Sequence, residues 1–477
     1  MPEVEFFGPS LRDSGNKWAE SMRLVNMYRE FNGARTTLRS VMGTEAFATA
    51  PGIFCRAMAV VGDWLYVAQG GTLYAISDSG AVNSRGAIVD GDTTISSNNG
   101  KVTVAANGTY YLLDGTTLTT PATGAFSDVG DVAFIGQLTV VSERDGRRLQ
   151  WSDVADPATF DGLNFATAEA RDDSILRLWT IGAELWVFKE TSIERWYQES
   201  GGLAVIPGSA RSPGLKSRAL LVGIPNGAAF VGSDGRVYLV SGGLQPVSTI
   251  PVEQSIAADA PDRMIWYRDK GHEFICVGFP GRPAWCLDLA TGEWHERAEG
   301  QDNPWSVRTM VEAFGGFYGG TDTGQVVRLA RNGADVSGAL IRRAVGTTID
   351  STDRFRVARL HIPCTVGTVD KGGPVLLGDT VLGADGDDEA LGVDDLTVLR
   401  IEREDLSRVT AQIRLRISPD NGKTWGQPRF LSLGDIGDYD KLVTVRSLGQ
   451  FRKFTPEIVY AEAADISFDA ALDVEVA

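Results

Sequence analysis

A two-strand unit closed by a tight turn recurs along the first two thirds of the chain, and it restricts the fold more than any other feature. Asp63-Trp-Leu-Tyr-Val runs through Gly70-Gly71 into Thr72-Leu-Tyr-Ala-Ile, and Gly108-Thr-Tyr-Tyr-Leu-Leu runs through Asp114-Gly115 into Thr116-Thr-Leu. Further units cross Asp145-Gly146 (from Gly136 to Trp151), Lys189-Glu190 (from Gly182) and Asp234-Gly235 (from Ala228). The last two cross Gly281-Arg-Pro (from Glu273) and Gly324 (from Gly316). Asp-Gly and Gly-Gly between alternating apolar runs are the strongest short-range hairpin signals, because tight hairpin turns need φ > 0. Successive units mostly begin roughly 40–45 residues apart, the spacing of four-stranded propeller blades. The step from the second to the third is shorter. A β-sandwich would place its turns every ~8–12 residues without the longer beat. The fold class expected is therefore all-β, with a β-propeller of about seven blades. Six is the alternative count, since the first and last units can combine into one blade. Each hairpin could be the inner or the outer pair of a blade.

The beat also sets the domain organisation. Pro51-Gly52 and Arg331-Asn332-Gly333 bracket the repeats, so the propeller is expected at 51–335. Residues 1–50 form an N-terminal arm, in which Lys17 to Arg29 fits a short helix or an extended arm, and periodicity does not decide between them. Residues 336–477 form a C-terminal β-sandwich-like domain, with strands expected at 355–362, 396–401, 412–417, 441–445 and 465–476. A Gly/Asp-rich stretch at 366–395 reads as a surface insertion within it. The closely spaced acids there could suggest calcium, but they lack the ligand order of an EF-hand loop.

The formal charge of −17, from 45 basic and 62 acidic side chains, argues against recognition of DNA through clustered Lys and Arg. Passive contact is another matter, since an acidic lining repels a duplex and lets it slide. An acidic surface also serves solubility alone. Four cysteines show no CxxC spacing, and Cys276 and Cys286 lie in strand-like apolar runs. They are expected to be buried reduced thiols. The N-terminus has no basic stretch followed by an apolar one, and no apolar run approaches the ~20 residues of a membrane span. Synthesis and folding in a cytoplasm are expected.

Nothing marks a catalytic centre. His272, His295 and His361 lack metal-pair spacing, and no Ser occupies a nucleophile elbow. No catalytic, metal or cofactor residues are assigned and no enzymatic activity is expected. One motif invites a glycan reading. Ser418-Pro-Asp-Asn-Gly-Lys-Thr-Trp425 has the Asp-box pattern, in which Ser418, Asp420, Gly422, Thr424 and Trp425 build a hairpin turn. It occurs once, outside the expected propeller, and its role is structural.

Several motifs taken in order resemble the packaged-DNA stabilisation or tail-hub (nozzle) proteins of short-tailed bacteriophages. Leu24-Val-Asn-Met-Tyr-Arg-Glu30 is similar to that family's Val-Asn-x-Tyr-x-Glu signature, and Trp151-Ser-Asp with Asp156-Pro157 to its Trp-Ser…Asp-Pro segment. Val187-Phe-Lys-Glu-Thr-Ser-Ile-Glu194 resembles a Phe-Gly-x-x-Ser-Ile-Glu strand pair, with Lys189 at the usual glycine. The densest matches are Gly271–Arg297 and Leu415–Gly426, followed by Gly437-Asp-Tyr439, Ser447-Leu-Gly449 and Arg452. The resemblance implies a structural virion protein assembled in the bacterial host cytoplasm, forming a ring, expected to be a hexamer, below the portal and its adaptor ring. Such a ring extends the DNA channel, stabilises packaged DNA through passive contact with the duplex, and anchors the tail needle and fibres or tailspikes. On that reading Asp385, Asp387, Asp388 and Glu389 are candidate channel-facing acids. A glycan-binding or sialidase-like propeller is the alternative, and it would need repeated Asp-boxes and clustered arginines. A generic propeller scaffold would instead be a monomer.

Overall fold

The computed structural model describes residues 3–12, 14, 21–33, 35–331, 333–336, 338–369, 411–433, 441–461 and 464–476, with short strand pairs at 375–376, 380–381, 391–392 and 398–399. Asp385, Asp387, Asp388 and Glu389 lie outside the described residues, as does most of the expected insertion and of the strand at 396–401.

The architecture is all-β, with a propeller at its centre. Six four-stranded antiparallel sheets stand alone. Five are simple meanders at 55–87, 93–119, 129–167, 175–205 and 221–246, numbered here blades 1 to 5. Blade 7 combines Val307–Ala313, Gly316–Thr321 and Gln325–Ala330 with an outer strand, Gly43–Thr49, taken from the N-terminal segment. These are the six blades of the lower expected count. Blade 6, at 263–297, is a seventh four-stranded meander between them, but its outer strand is hydrogen-bonded onward into a larger sheet. The first strands of all seven line one central cavity of ≈ 790 Å³, and Val307–Ala313 packs on Cys55–Val61 to close the circle.

Separate apolar cores fill the gaps between blades: Tyr66, Leu73 and Val104 between the first two, Leu138, Leu185 and Trp196 between the third and fourth. A strand with blades on both sides is buried on both faces and becomes nearly uniformly apolar; Gly227–Val231, with all five residues buried, is the extreme case. This explains the hairpins visible in the sequence. They are neither inner nor outer pairs but the second and third strands of each blade. In blade 2 the unit at 108–118 is the third and fourth strands instead, with Lys101–Ala106 as the second. That displacement accounts for the short step in the beat.

Cys276 and Cys286, expected to be reduced, are joined in a disulfide. They face one another in register across the second and third strands of blade 6, where a hairpin brings two Cβ atoms within bonding reach whatever the sequence spacing. Cys55 and Cys364 are buried and lie outside this disulfide.

The N-terminal segment is extended and woven through the rest. Glu3–Glu5 pairs with Ala471–Val476, and the hairpin Met27–Asn32/Arg35–Ser40 joins Ala464–Asp469. Arg23–Val25 lies parallel to Trp294–Arg297 of blade 6 and antiparallel to Arg342–Val345. Arg342–Val345 in turn pairs with Lys441–Tyr460, whose first half pairs with Ile349–Val369 and whose second half pairs with Gln412–Ser418. The two halves enclose one core containing Phe6, Leu360, Ile413, Val443, Phe454 and Phe468, which is the sandwich-like C-terminal region.

Candidate functional site: the blade 6 joint and the propeller mouth

Motifs singled out in the sequence converge on the joint between blade 6 and the C-terminal sheet. Asn26 adopts φ 57°, a left-handed conformation that Asn tolerates better than most residues. Its side-chain amide donates to the carbonyls of Ala298 (2.9 Å) and Ile341 (2.7 Å), and its Oδ1 accepts from the Ala298 N–H (3.0 Å). One side chain thus ties the N-terminal segment to blade 6 and to the chain leaving the propeller. Two residues on, Tyr28 is buried against His272 and Phe274, with ring centroids 4.9 and 5.0 Å away.

Charge locks the same joint. Glu296, fully buried, accepts from Arg23 at 2.8 and 2.6 Å and pairs with Arg12 at 2.7 Å. Burial alone would raise its pKa, but the guanidinium charges of Arg23 and Arg12 outweigh it and hold the carboxyl at about 2. Arg23 also reaches Asp302 at 2.6 Å, and Asp302 meets Arg343 at 3.3 Å. A network with two cations on one buried carboxylate holds geometry in place more than it adds net stability.

The Asp288–Trp294 turn is built by Asp288. It accepts from the Ala290 N–H (2.9 Å) and Thr291 Oγ1 (3.1 Å) and contacts His272 Nδ1 at 2.7 Å. That hydrogen bond raises the pKa of His272. His295, buried one strand away, is pushed down to about 4 by burial. His361 contacts Thr444 Oγ1 at 2.9 Å. Each histidine therefore has a structural setting, and the three are not brought together in one cavity. Among the described residues no group of three His, Cys, Asp or Glu side chains has metal-binding geometry.

The other motifs are also fasteners. Lys189 is fully buried and its Nζ meets Asp173 (2.9 Å), Glu194 (3.1 Å) and the carbonyls of Ala168 (3.0 Å) and Arg171 (2.6 Å). It pins the crossover from blade 3 to the body of blade 4. In the Trp151-Ser-Asp segment, Ser152 Oγ accepts from the Thr139 N–H at 3.0 Å, and Tyr110 of blade 2 donates to the Pro157 carbonyl at 2.8 Å. The Asp-box forms the turn its sequence dictates. Ser418 Oγ accepts from the Gly422 N–H (2.7 Å), and Asp420 accepts from the Thr424 N–H (2.8 Å) and hydroxyl (2.7 Å). Gly422 has φ +78°, and Arg416 stacks 5.3 Å over the Trp425 ring.

Sequence reasoning did not find the propeller mouth. Arg56, Arg177, Arg263 and Arg308, on first strands of their blades, and Arg218, in the turn before blade 5, gather at the cavity. Arg56 and Arg308 occupy β-bulges at the starts of blades 1 and 7, where the extra residue re-aims the side chain. Arg56 pairs with Asp90 (3.0 Å), Arg177 with Asp131 (3.2 Å), Arg218 with Asp145 (3.2 Å), and Arg308 with both Asp262 (3.3 Å) and Asp322 (2.8 Å). The Arg177–Asp131 pair joins blades 4 and 3, and the others hold the turns and crossovers beside the cavity.

Fold and site define a class: a propeller of structural type, with one blade fused into a second sheet and its motif residues acting as fasteners. The family model described as "Bacteriophage P22 Gp10, beta-propeller" matches residues 10–326, and the chain belongs to that family. It is a phage structural protein of the tail-hub, DNA-stabilisation type, a component of the virion. No curated protein matches the chain. Solved structures similar to it include a computationally designed protein, Ika8 (15% identity, TM-score 0.40, 68% of this chain and 99% of that one). A chain of the mitotic checkpoint complex gives 15% identity and a TM-score of 0.44 over 63% and 96%. The RRP9 WD40 repeats give 10% identity and a TM-score of 0.40 over 61% and 99%.

Proposed function

We propose that the protein is the nozzle-type hub of a short-tailed phage, forming a closed ring, a hexamer, beneath the portal adaptor. The ring extends the DNA channel, retains packaged DNA and anchors the tail needle and fibres or tailspikes. The observation that carries this reading is the continuous hydrogen-bonded sheet from blade 6 through Arg23–Val25 and Arg342–Val345 into the C-terminal strands. A heterologous ring closes only if every subunit repeats the same rotation, so the two parts of each subunit must keep a fixed angle. A shared sheet with the Glu296 network across it supplies that rigidity without any bond chemistry. Negative-stain microscopy of the purified protein, alone and with its adaptor ring, tests the proposal. Closed rings on the adaptor are expected, whereas a persistent monomer in both preparations would refute it.

A further inference from the structure

One face of the C-terminal ribbon concentrates positive charge on a chain whose net charge is −17. Strands Ile349–Val369 and Lys441–Tyr460 run antiparallel, with Val357, Leu360 and Ile362 and, opposite, Val443, Val445 and Leu448 turned into the core. Alternation turns Arg356, Arg359, Arg446 and Arg452 to the other side, where all four are exposed. Arg359 stands directly opposite Arg446 in the register. Like charges so placed weaken a sheet. Arg429 adds a fifth guanidinium beside them, donating to the carbonyls of Arg446 (3.0 Å) and Ser447 (3.2 Å). Arg359 has a counter-charge in Glu475 at 3.3 Å; among the described residues Arg356, Arg446 and Arg452 make no ion pair.

We infer that this face binds the phosphate backbone of double-stranded DNA and is the side of the subunit turned toward the conduit. The inference rests on the ring reading and gives it a contact surface. Glu475 offsets only Arg359, and the cross-strand repulsion with Arg446 costs the fold stability, which an anion bound from outside would offset. A docked protein would want apolar or aromatic anchors at the centre and charge at the rim. Here two arginines stand opposite one another, and the exposed apolar groups nearby in the chain, Leu442 and Phe430, are single side chains with no aromatic cluster between them. Protein–DNA interfaces are polar and positive, and phosphate contacts need no base readers, so they hold any sequence equally. Meanwhile the acidic remainder repels the duplex and leaves this ribbon as the approach.

The test is anisotropy of a fluorescein-labelled random duplex of about 30 base pairs with the full-length protein, titrated in NaCl from about 20 to 200 mM. Binding should fall steeply with salt, and R356Q/R359Q/R446Q should flatten the log–log slope by about 2.7, three contacts at ~0.9 each, with affinity ~10–100-fold weaker at the low end. Arg268→Gln, exposed elsewhere and paired with Glu312, should leave the slope unchanged, and thermal melting controls for folding. A triple variant with the wild-type slope, or a wild type that does not bind at the lowest salt, overturns the inference. Ring formation on the adaptor is scored in parallel. Wild-type rings without an arginine-dependent slope sink this inference and leave the hub reading standing. An arginine-dependent slope without rings does the reverse. A triple variant that keeps its slope but fails to enter rings makes the face a contact between copies and overturns DNA as its occupant.

Discussion

Replacing Lys189 with Met removes a fully buried charge from the propeller. The ammonium is fully enclosed, and its two carboxylate partners, Asp173 and Glu194, are 6% and 1% exposed. K189M preserves much of the stem's volume, so the cost is electrostatic. Asp173 would keep its hydrogen bonds from Thr191 (2.8 Å) and Ser192 (3.1 Å), but Glu194 would keep only the Ala170 N–H at 3.2 Å. The carbonyls of Ala168 and Arg171 would lose their donor as well. Leaving a buried partner uncompensated costs about 3–5 kcal/mol, enough to lower the melting temperature of this region by roughly 5–10 °C. The assay is thermal unfolding followed by Trp fluorescence, since Trp186 and Trp196 flank the site in the same blade. The triple change K189M/D173N/E194Q, which removes the stranded charges, should recover half or more of the loss. A K189M loss below about 1 kcal/mol would show that the ion pair is incidental and the surrounding packing sets the stability of blade 4.

Three other outcomes are expected. Burial depresses His295 to about 4 from an ordinary value near 6.5; its contribution is intact above that ordinary value and disappears as pH falls through the folded one. H295Q should therefore flatten the drop in melting temperature between pH 6.5 and about 4; an unchanged pH profile would refute this. A Cβ on Gly223 would lie 2.1 Å from the Trp179 ring of the adjacent blade, so G223A should cost about 1–3 kcal/mol in thermal unfolding, with W179L added to G223A restoring part of it. Asp420→Ala removes the acceptor for the Thr424 amide and should accelerate hydrogen exchange at that turn by a measurable factor while global melting shifts by no more than ~1 kcal/mol. Loss of global structure would mean the box holds more than its own hairpin.

How much of this was legible depends on burial. The second and third strands of each blade carry runs such as Trp64–Gln69 and Gly227–Val231, apolar on both faces because a blade lies on either side. They announced the fold. First and outer strands such as Thr93–Asn98 (TTISSN) and Val82–Ala87 (VNSRGA) are half exposed and carry little apolar pattern, so the sequence leaves the place of each hairpin within its blade open between an inner and an outer pair, and neither is what the structure has. Gly43–Thr49 gave no sign that it completes blade 7, because pairing across 280 residues of sequence leaves no local pattern. The disulfide was missed for the same reason. Cys276 and Cys286 reveal their partnership only once the register is known. Motif residues fared better: Asn26, Asp288 and Asp420 were visible as conspicuous polar groups, and each proves to satisfy backbone at a bend.

Charge was the property that composition represented least well. A balance of 45 to 62 describes the whole chain, yet the arginines of the propeller mouth and of the C-terminal ribbon differ in what they can do. Those at the propeller mouth and the blade 6 joint are matched by carboxylates within a few ångströms, as Arg308 is by Asp262 and Asp322 and Arg23 by Glu296 and Asp302. Their charge is spent on holding strands together and creates little field outside. Those on the C-terminal ribbon are exposed and, at Arg359 and Arg446, set against one another. Exposed arginines without a carboxylate neighbour among the described residues, Arg356, Arg446 and Arg452, contribute to the field outside the subunit more than the paired ones do. A subunit of that kind has an electrostatic direction fixed by its shared sheet, and repeating it around a ring would point the same sign at the axis in every copy.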